Sequence, residues 1–240
     1  FINFQVYKLP CICCQINSCL MSTTKFQVAD IRTTCFHHDV YEPAEDSYML
    51  VDALESEWGN LKQNSPSVCL EIGCGTGYVI CSAALLMKGE GTCLATDINP
   101  TAATTTSATL KAHNVHAEVV VGDLLAGMQE RLQGKVDLLL FNPPYVPTPD
   151  EEVGGAGITA SWAGGARGRV VIDRVLPLLP GILSERGVLL MVLVKENDVE
   201  DVSKALLSLN LDSTVVLTRR ADEELLHILK VWKKPGYSTN

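Results

Sequence analysis

The sequence predicts an α/β fold: a mostly parallel seven-stranded sheet with a C-terminal antiparallel hairpin and helices on both faces. Three observations predict it. From Glu42 onward, short apolar runs alternate with segments of helical periodicity. The first apolar run ends in a glycine-rich turn, as a buried strand does where it leads into a helix. The last two apolar runs lie close together with no helical segment between them, which makes them a hairpin at one edge.

Glu45–Lys62 reads as a helix, with Met49, Leu50, Ala53, Leu54 and Trp58 at helical spacing. Ser67–Gly73 is a short apolar run and hence a buried strand. Tyr78–Met87 is a helix and Thr92–Asp97 the second strand. Asn99–His113 is a helix with Asn99 as N-cap and Pro100 at its first position. Ala117–Val121 is the third strand, expected at one edge of the sheet. After a short irregular helix, Val136–Phe141 is the fourth. Val170–Leu183 is expected to be helical despite Pro177 and Pro180, and Val188–Val194 is the fifth strand. Val199–Leu209 is a helix, and Thr214–Thr218 with Leu225–Val231 form the closing pair. The glycine-rich stretch Gly154–Gly168 is a long loop, and such loops inside a domain are usually functional.

A chain of 240 residues suffices for one sizeable core, and 47% apolar with 20% charged residues is a globular balance. The net charge of −9 disfavours duplex nucleic acid as a default partner. Nine cysteines without regular pairing do not form a secreted disulfide framework and point to a reducing, cytoplasmic compartment. No apolar run reaches about 18 residues, so no spanning helix is expected. Residues 1–39 form a largely irregular extension. Its first twenty residues differ in character from the chain after Met21 and read as upstream sequence. Cys11, Cys13, Cys14 and Cys19 match no familiar zinc spacing. The single domain spans residues 40–234, with a tail at 235–240.

Ligands of open α/β sheets bind beyond the carboxyl ends of the strands. The first strand ends in Glu71-Ile-Gly73-Cys-Gly75-Thr-Gly77. This is G-x-G-x-G with an acid two places before it, not the G-x-G-x-x-G that seats a pyrophosphate. A cofactor with a cationic amino-acid end and no phosphate suits it better. The second strand ends at Asp97, placed to accept from ribose hydroxyls, with Ile98 beside it to pack on an adenine face. Asp123 and Leu124 come after the third strand, the acid facing an adenine amino group and the leucine beside the ring. Three acids at three successive strand ends also match the charge of a sulfonium cofactor.

The fourth strand ends in Asn142-Pro143-Pro144-Tyr145, the most specific signal in the chain. Two prolines remove two N–H donors and stiffen the backbone. The Asn142 side-chain oxygen and the Pro143 carbonyl are left as converging acceptors for one amino group, and Tyr145 offers an aromatic wall for a planar substrate.

These residues together resemble class I, Rossmann-like methyltransferases of the HemK-type glutamine methyltransferase family. Tyr41-Glu-Pro-Ala-Glu-Asp46 and Trp162-Ala-Gly-Gly165 resemble the short eukaryotic and archaeal branch, without the helical domain of the bacterial enzymes. The likeness covers residues 40 to 233. It implies S-adenosyl-L-methionine as cofactor and the Gly-Gly-Gln glutamine of eukaryotic release factor 1 as substrate. It also implies a small zinc-binding activator subunit as partner, and a cytoplasmic and nuclear location. By the resemblance, Asp46 and Ser47 line the methionine end of the cofactor, and Glu71 and Gly73 meet its amino-acid moiety. Asp97 then holds the ribose, Asp123 and Leu124 the adenine, and Asn142 the substrate amide. Cys74 departs from the small polar residue expected in the glycine loop.

Two other activities share the motif. Adenine-N6 methylation of nucleic acid needs a basic track, and Lys62, Lys111, Lys135, Arg167, Arg169 and Arg174 are scattered. Histone lysine methylation needs a base to deprotonate the amine, and the motif itself supplies none. A nucleotide-binding scaffold without activity is the non-enzymatic alternative, opposed by the intact set Glu71, Asp97, Asp123 and Asn142.

Overall fold

The structure, a computed structural model, describes residues 26–154 and 157–234. The four cysteines of the first twenty residues lie outside this range. Seven strands form one sheet: β1 (Val68–Ile72), β2 (Thr92–Asp97), β3 (Glu118–Val121), β4 (Val136–Phe141), β5 (Leu183–Val194), β6 (Leu211–Ala221) and β7 (Glu224–Lys233). Their order is β3-β2-β1-β4-β5-β7-β6. The first five are parallel, and β7 enters antiparallel between β5 and β6. Order reverses between β1 and β4, which opens a crevice beyond their carboxyl ends.

Helix α1 (Glu45–Gln63) starts with two acids in its first turn and ends with Lys62, each charge complementing the helix dipole. All ten residues of α2 (Tyr78–Met87) are buried, because it is sandwiched by α1, α3 and the sheet. The third helix, α3 (Pro100–Ala112), is capped by Asn99, whose side chain accepts from the Thr101 N–H at 2.9 Å. Beyond it come α4 (Gln129–Leu132), α5 (Val170–Val175), α6 (Leu179–Ile182) and α7 (Val199–Ser208), the last against β6.

The helix expected over 170–183 is interrupted. Pro177 has no N–H for the helical ladder, and the chain tightens into a 3-10 turn at Leu176–Leu178 between α5 and α6. Strand β5 begins at Leu183, earlier than its apolar run suggested. Leu183 pairs with Val136, residues 184–187 bulge out, and pairing resumes at Val188 with Leu138. The bulge is tied down by Asp137, which accepts from Ser184 Oγ at 2.6 Å and from the Ser67 N–H at 2.8 Å. The β6–β7 hairpin is also longer than predicted, because polar residues on an edge strand face solvent and break the apolar pattern.

The segment from Phe26 to Val40 runs as a strap across α2 and α3. Ala29 N–H donates to Ser82 Oγ (3.1 Å), and Cys35 N–H donates to Thr109 Oγ1 (2.9 Å). His113 Nε2 accepts from the Asp30 N–H at 3.0 Å, while Nδ1 lies 2.8 Å from the Thr109 carbonyl. That pattern requires the neutral Nδ1–H form of the ring. Replacing His113 with Ala leaves the Asp30 N–H and the Thr109 carbonyl without this partner. Urea denaturation is expected to show a loss of about 1–2 kcal/mol, with cofactor-site residues unaltered.

Candidate active site

The crevice is an open cleft enclosing about 1170 Å³ of space, part of it open solvent. The ends of β1, β2, β3 and β4 supply its floor through Glu71 to Thr76, Thr96 to Asn99, Gly122 to Leu124, and Phe141, Asn142 and Pro144. The strap covers one side with Asp39, Val40, Tyr41 and Pro43, and the loop after β4 covers another with Val153, Gly154, Gly157 and Ile158. Most residues singled out in the sequence line this one cleft: Ser47, Glu71, Gly73, Gly75, Asp97, Ile98, Asp123, Leu124, Asn142 and Pro144. Gly77, Asp46, Pro143 and Tyr145 stand behind its wall.

The glycine loop is held by its backbone. Gly73 and Cys74 N–H groups both donate to the Thr96 carbonyl (2.8 and 3.0 Å), and Gly75 N–H donates to Asp97 Oδ2 (2.9 Å). Asp97 Oδ1 accepts from the Asn99 N–H at 2.8 Å. The last glycine serves packing: a Cβ on Gly77 would lie 2.9 Å from Thr106 Cα on α3, at a φ of +81°. Thr106 Oγ1 in turn sits 3.0 Å from the Gly75 carbonyl and 3.2 Å from Cys74 Sγ, so the cysteine has a polar neighbour in this loop.

Glu71 is 2% exposed. Its Oε2 accepts from the Ile80 N–H at 2.8 Å, capping α2, whose N-cap glycine has no side chain to do so. Burial, and then the neighbouring Asp97, push the Glu71 carboxyl well above the usual range. Burial also raises Asp97. At the β3 end, Asp123 Oδ2 accepts from Arg174 Nη2 at 2.6 Å. Ile98 is 51% exposed into the cleft, an apolar surface that a flat ring would cover.

Asp46 organises the chemical end. Its carboxylate accepts from the Ser47 N–H (2.6 Å), Tyr41 Oη (3.2 Å), Tyr145 Oη (3.2 Å) and Asn142 Nδ2 (2.9 Å). The last bond settles which way the Asn142 amide points, since only the NH2 can face a carboxylate. Asn142 Oδ1 is therefore turned away from Asp46, and it is buried without a partner among the described residues. Tyr145, 8% exposed, backs Asp46 and does not form the wall of the cleft expected for it. Burial, and then the Asp46 charge, raise its hydroxyl pKa far above the usual value, so it remains a donor.

Several contributors lacked a sequence signal. Asn197, fully buried in the 3-10 turn after β5, donates to the Tyr145 carbonyl at 2.9 Å and to the Arg167 carbonyl at 3.0 Å. It clamps the motif to the loop below, where Gly168 leaves no room for a Cβ, the nearest atom being the Tyr145 carbonyl oxygen. Arg169, also buried, pairs with Asp173 and Asp201 and donates to the Asn197 carbonyl. Glu224, at the start of β7, lies near Tyr145 and Asp46, and burial followed by the Asp46 charge raises its carboxyl pKa. These partners are far apart in the chain, and no local pattern marks them.

The cleft fits a cationic, hydrogen-bonding ligand on two counts. Glu71 and Asp97, which line it, have no ion pair among the described residues. The two buried side-chain polar atoms without a partner among those residues, Thr96 Oγ1 and Asn142 Oδ1, both belong to residues of this cleft.

Glu71 gives a pH test. Its folded-state pKa is raised, so folding binds a proton, and its contribution to stability falls as pH rises above the unfolded value of about 4.3. In the ligand-free protein, the stability advantage of Glu71→Gln over wild type is expected to grow between about pH 5 and 8. Urea midpoints across that range measure it, and a constant difference refutes it.

Comparison with known proteins agrees with this geometry. Residues 45–154 match the family described as "Methyltransferase small domain". "Methyltransferase HEMK2" of Mus musculus is 47% identical over 195 residues, covering 81% of this chain and 90% of that protein. The "eRF1 methyltransferase catalytic subunit mtq2" of Schizosaccharomyces pombe is 36% identical over 215 residues, with the same coverage. Among solved structures, the E. cuniculi Mtq2–Trm112 complex, described as responsible for methylation of the eRF1 termination factor, superposes with a TM-score of 0.58. It is 28% identical, and the match covers 82% of this chain and 99% of that one. A cleft at the β1/β4 switch point, an acid-flanked glycine loop and an Asn-Pro-Pro-Tyr turn thus coincide with similarity over most of the chain to named enzymes: the chain belongs to the HemK-type methyltransferases.

Proposed function

We propose that this chain transfers a methyl group from S-adenosylmethionine to the side-chain amide nitrogen of the Gly-Gly-Gln glutamine in eukaryotic release factor 1. The observation that carries the reading is the state of Asn142: its NH2 is committed to Asp46, and its oxygen is a buried acceptor without a partner among the described residues. Leaving a buried acceptor unmade costs about 1–3 kcal/mol, which an incoming N–H donor recovers.

S-adenosylmethionine, when bound, supplies an electrophilic methyl on a sulfonium centre. The carboxylates of Glu71 and Asp97 face its positive charge, and Ile98 and Leu124 offer apolar surface to its base. Asn142 Oδ1 accepts an N–H bond of the substrate amide and fixes the direction of its nitrogen. An amide nitrogen is a weak nucleophile because its lone pair is delocalised, so orientation is what the site contributes, on the order of 7–11 kcal/mol at best. Loss of the surplus proton to water completes the transfer, and no side-chain base is required.

Lysine is a second reading, favoured by one observation: Asp46 and Glu224 place two carboxyl groups beside Tyr145. Both stand behind the cleft wall, so a lysine must reach past Tyr145 to use them as ammonium partner and base.

The partner reading rests on β3. It is an edge strand paired only with β2 among the described residues, and Val121 is 53% exposed. An apolar open edge suits strand addition by a small activator, in keeping with the E. cuniculi complex with Trm112. Release factors act in the cytoplasm, where we place the enzyme, with a nuclear pool.

Labelled cofactor, purified release factor and the activator test the reading together. Label is expected on the glutamine, and Asn142→Ala is expected to lower kcat about 100- to 1000-fold with cofactor affinity kept within a few-fold. No transfer by wild type contradicts the proposal. Glu224→Gln separates the two substrates: transfer to glutamine is expected to persist. Transfer to a lysine peptide is expected to fall and to lose its rise with pH, because the raised Glu224 carboxyl must ionise before it serves as a base.

A further inference from the structure

Among the described residues, one arginine or lysine lines the crevice, and the acids at the strand ends give no reason for it. Arg174 projects from α5 into the same cleft as Asp123, Leu124 and Ile98. Its Nη2 donates to Asp123 Oδ2 at 2.6 Å, and both side chains are about half exposed, at 48% and 46%. Val171 lies one turn earlier on α5 and also lines the cleft, so this short helix presents an apolar and a cationic residue on one face.

An exposed ion pair of this kind adds little to fold stability. Its geometry bears instead on a ligand. Asp123 follows β3 in a turn where Leu124 takes a left-handed conformation, φ +53°, and the only side chain holding its carboxylate among the described residues is Arg174. With Oδ2 taken by the guanidinium, Oδ1 is the oxygen left to accept from a ligand. A ring lying on Ile98 and Leu124 would exclude water from the pair and strengthen it, because the local dielectric falls.

We infer that Arg174 is a positioning residue for the cofactor's base: it fixes the rotation of the Asp123 carboxylate so that Oδ1 meets the purine 6-amino group. The inference rests on the proposed adenosyl cofactor and deepens it by assigning a selectivity. A purine with a 6-amino donor is accepted. One with a 6-oxo group meets an acceptor facing an acceptor and is rejected. The effect belongs to binding, and the reacting centre at Asn142 is untouched.

The test is calorimetry with two ligands, S-adenosylhomocysteine and its hypoxanthine counterpart S-inosylhomocysteine, on wild type, Arg174→Met and Arg174→Lys. Met keeps the apolar stem and removes every donor. Wild type is expected to prefer the adenine ligand by at least about tenfold, the scale of one charge-assisted hydrogen bond set against an unpaired acceptor. In Arg174→Met that preference is expected to shrink to about threefold or less, and affinity for S-adenosylhomocysteine to fall about five- to tenfold. Arg174→Lys is expected to restore part of both, which a merely structural role would not do. In turnover, KM for S-adenosylmethionine rises in Arg174→Met while kcat at saturation stays within about twofold. Wild type that binds the adenine ligand, with Arg174→Met keeping the full preference, overturns the inference and leaves the cofactor reading standing. Wild type that binds neither ligand overturns the cofactor reading, and this inference with it.

Discussion

One buried carboxylate sets the geometry on which the chemical end of this protein depends. Asp46, in the first turn of α1, collects hydrogen bonds from Ser47, Tyr41, Tyr145 and Asn142. The partners come from the segment before α1, from α1 itself and from the turn after β4, so one side chain joins parts distant in the chain. A carboxylate can only accept, and each partner must therefore present a donor. That constraint turns the Asn142 amide, leaves Oδ1 as the open acceptor and keeps both tyrosines protonated. Among the described residues, Asp46 is the one side chain hydrogen-bonded to the Asn142 amide, and its charge chooses between the two orientations of that amide.

The cofactor end obeys a related logic, in which carboxylates first serve the structure. Glu71 caps α2, and Asp97 ties the glycine loop to the start of α3. Both residues line the cleft, and both carry raised pKa values because burial penalises their charge. A cationic ligand relieves that penalty. The same groups thus hold the loop in shape and favour the sulfonium and ammonium charges of the proposed cofactor. A single fold element does two jobs here because the glycines of the loop have no side chains to contribute.

Much of this was legible in the sequence, and the reason is local. Gly73, Gly75 and Gly77, the acids at successive strand ends, and the two prolines after Asn142 are each dictated by what the backbone does within a few residues. Where the chain's geometry depends on partners far away, the sequence was silent. Asn197 is an ordinary polar residue until β5 brings it beneath the Tyr145 carbonyl. The β5 bulge exists because Asp137 can reach both Ser67 and Ser184. Tyr145 reads as an aromatic wall by residue type, yet its hydroxyl is drawn back to Asp46, a residue 99 positions away. The interruption at Pro177 was written in the sequence, and the apolar periodicity on either side hid it.

The central claim is that Asp46 aims Asn142, and substituting Asn for Asp46 tests it with almost no change of shape. An amide at position 46 can donate toward Asn142, which lets the Asn142 amide flip and lose its inward oxygen. The account predicts that Asp46→Asn, assayed for methyl transfer to the release factor with the activator present, loses about 100-fold in kcat while the affinity for S-adenosylhomocysteine changes by no more than a few-fold. A kcat equal to wild type at matched saturation would contradict it.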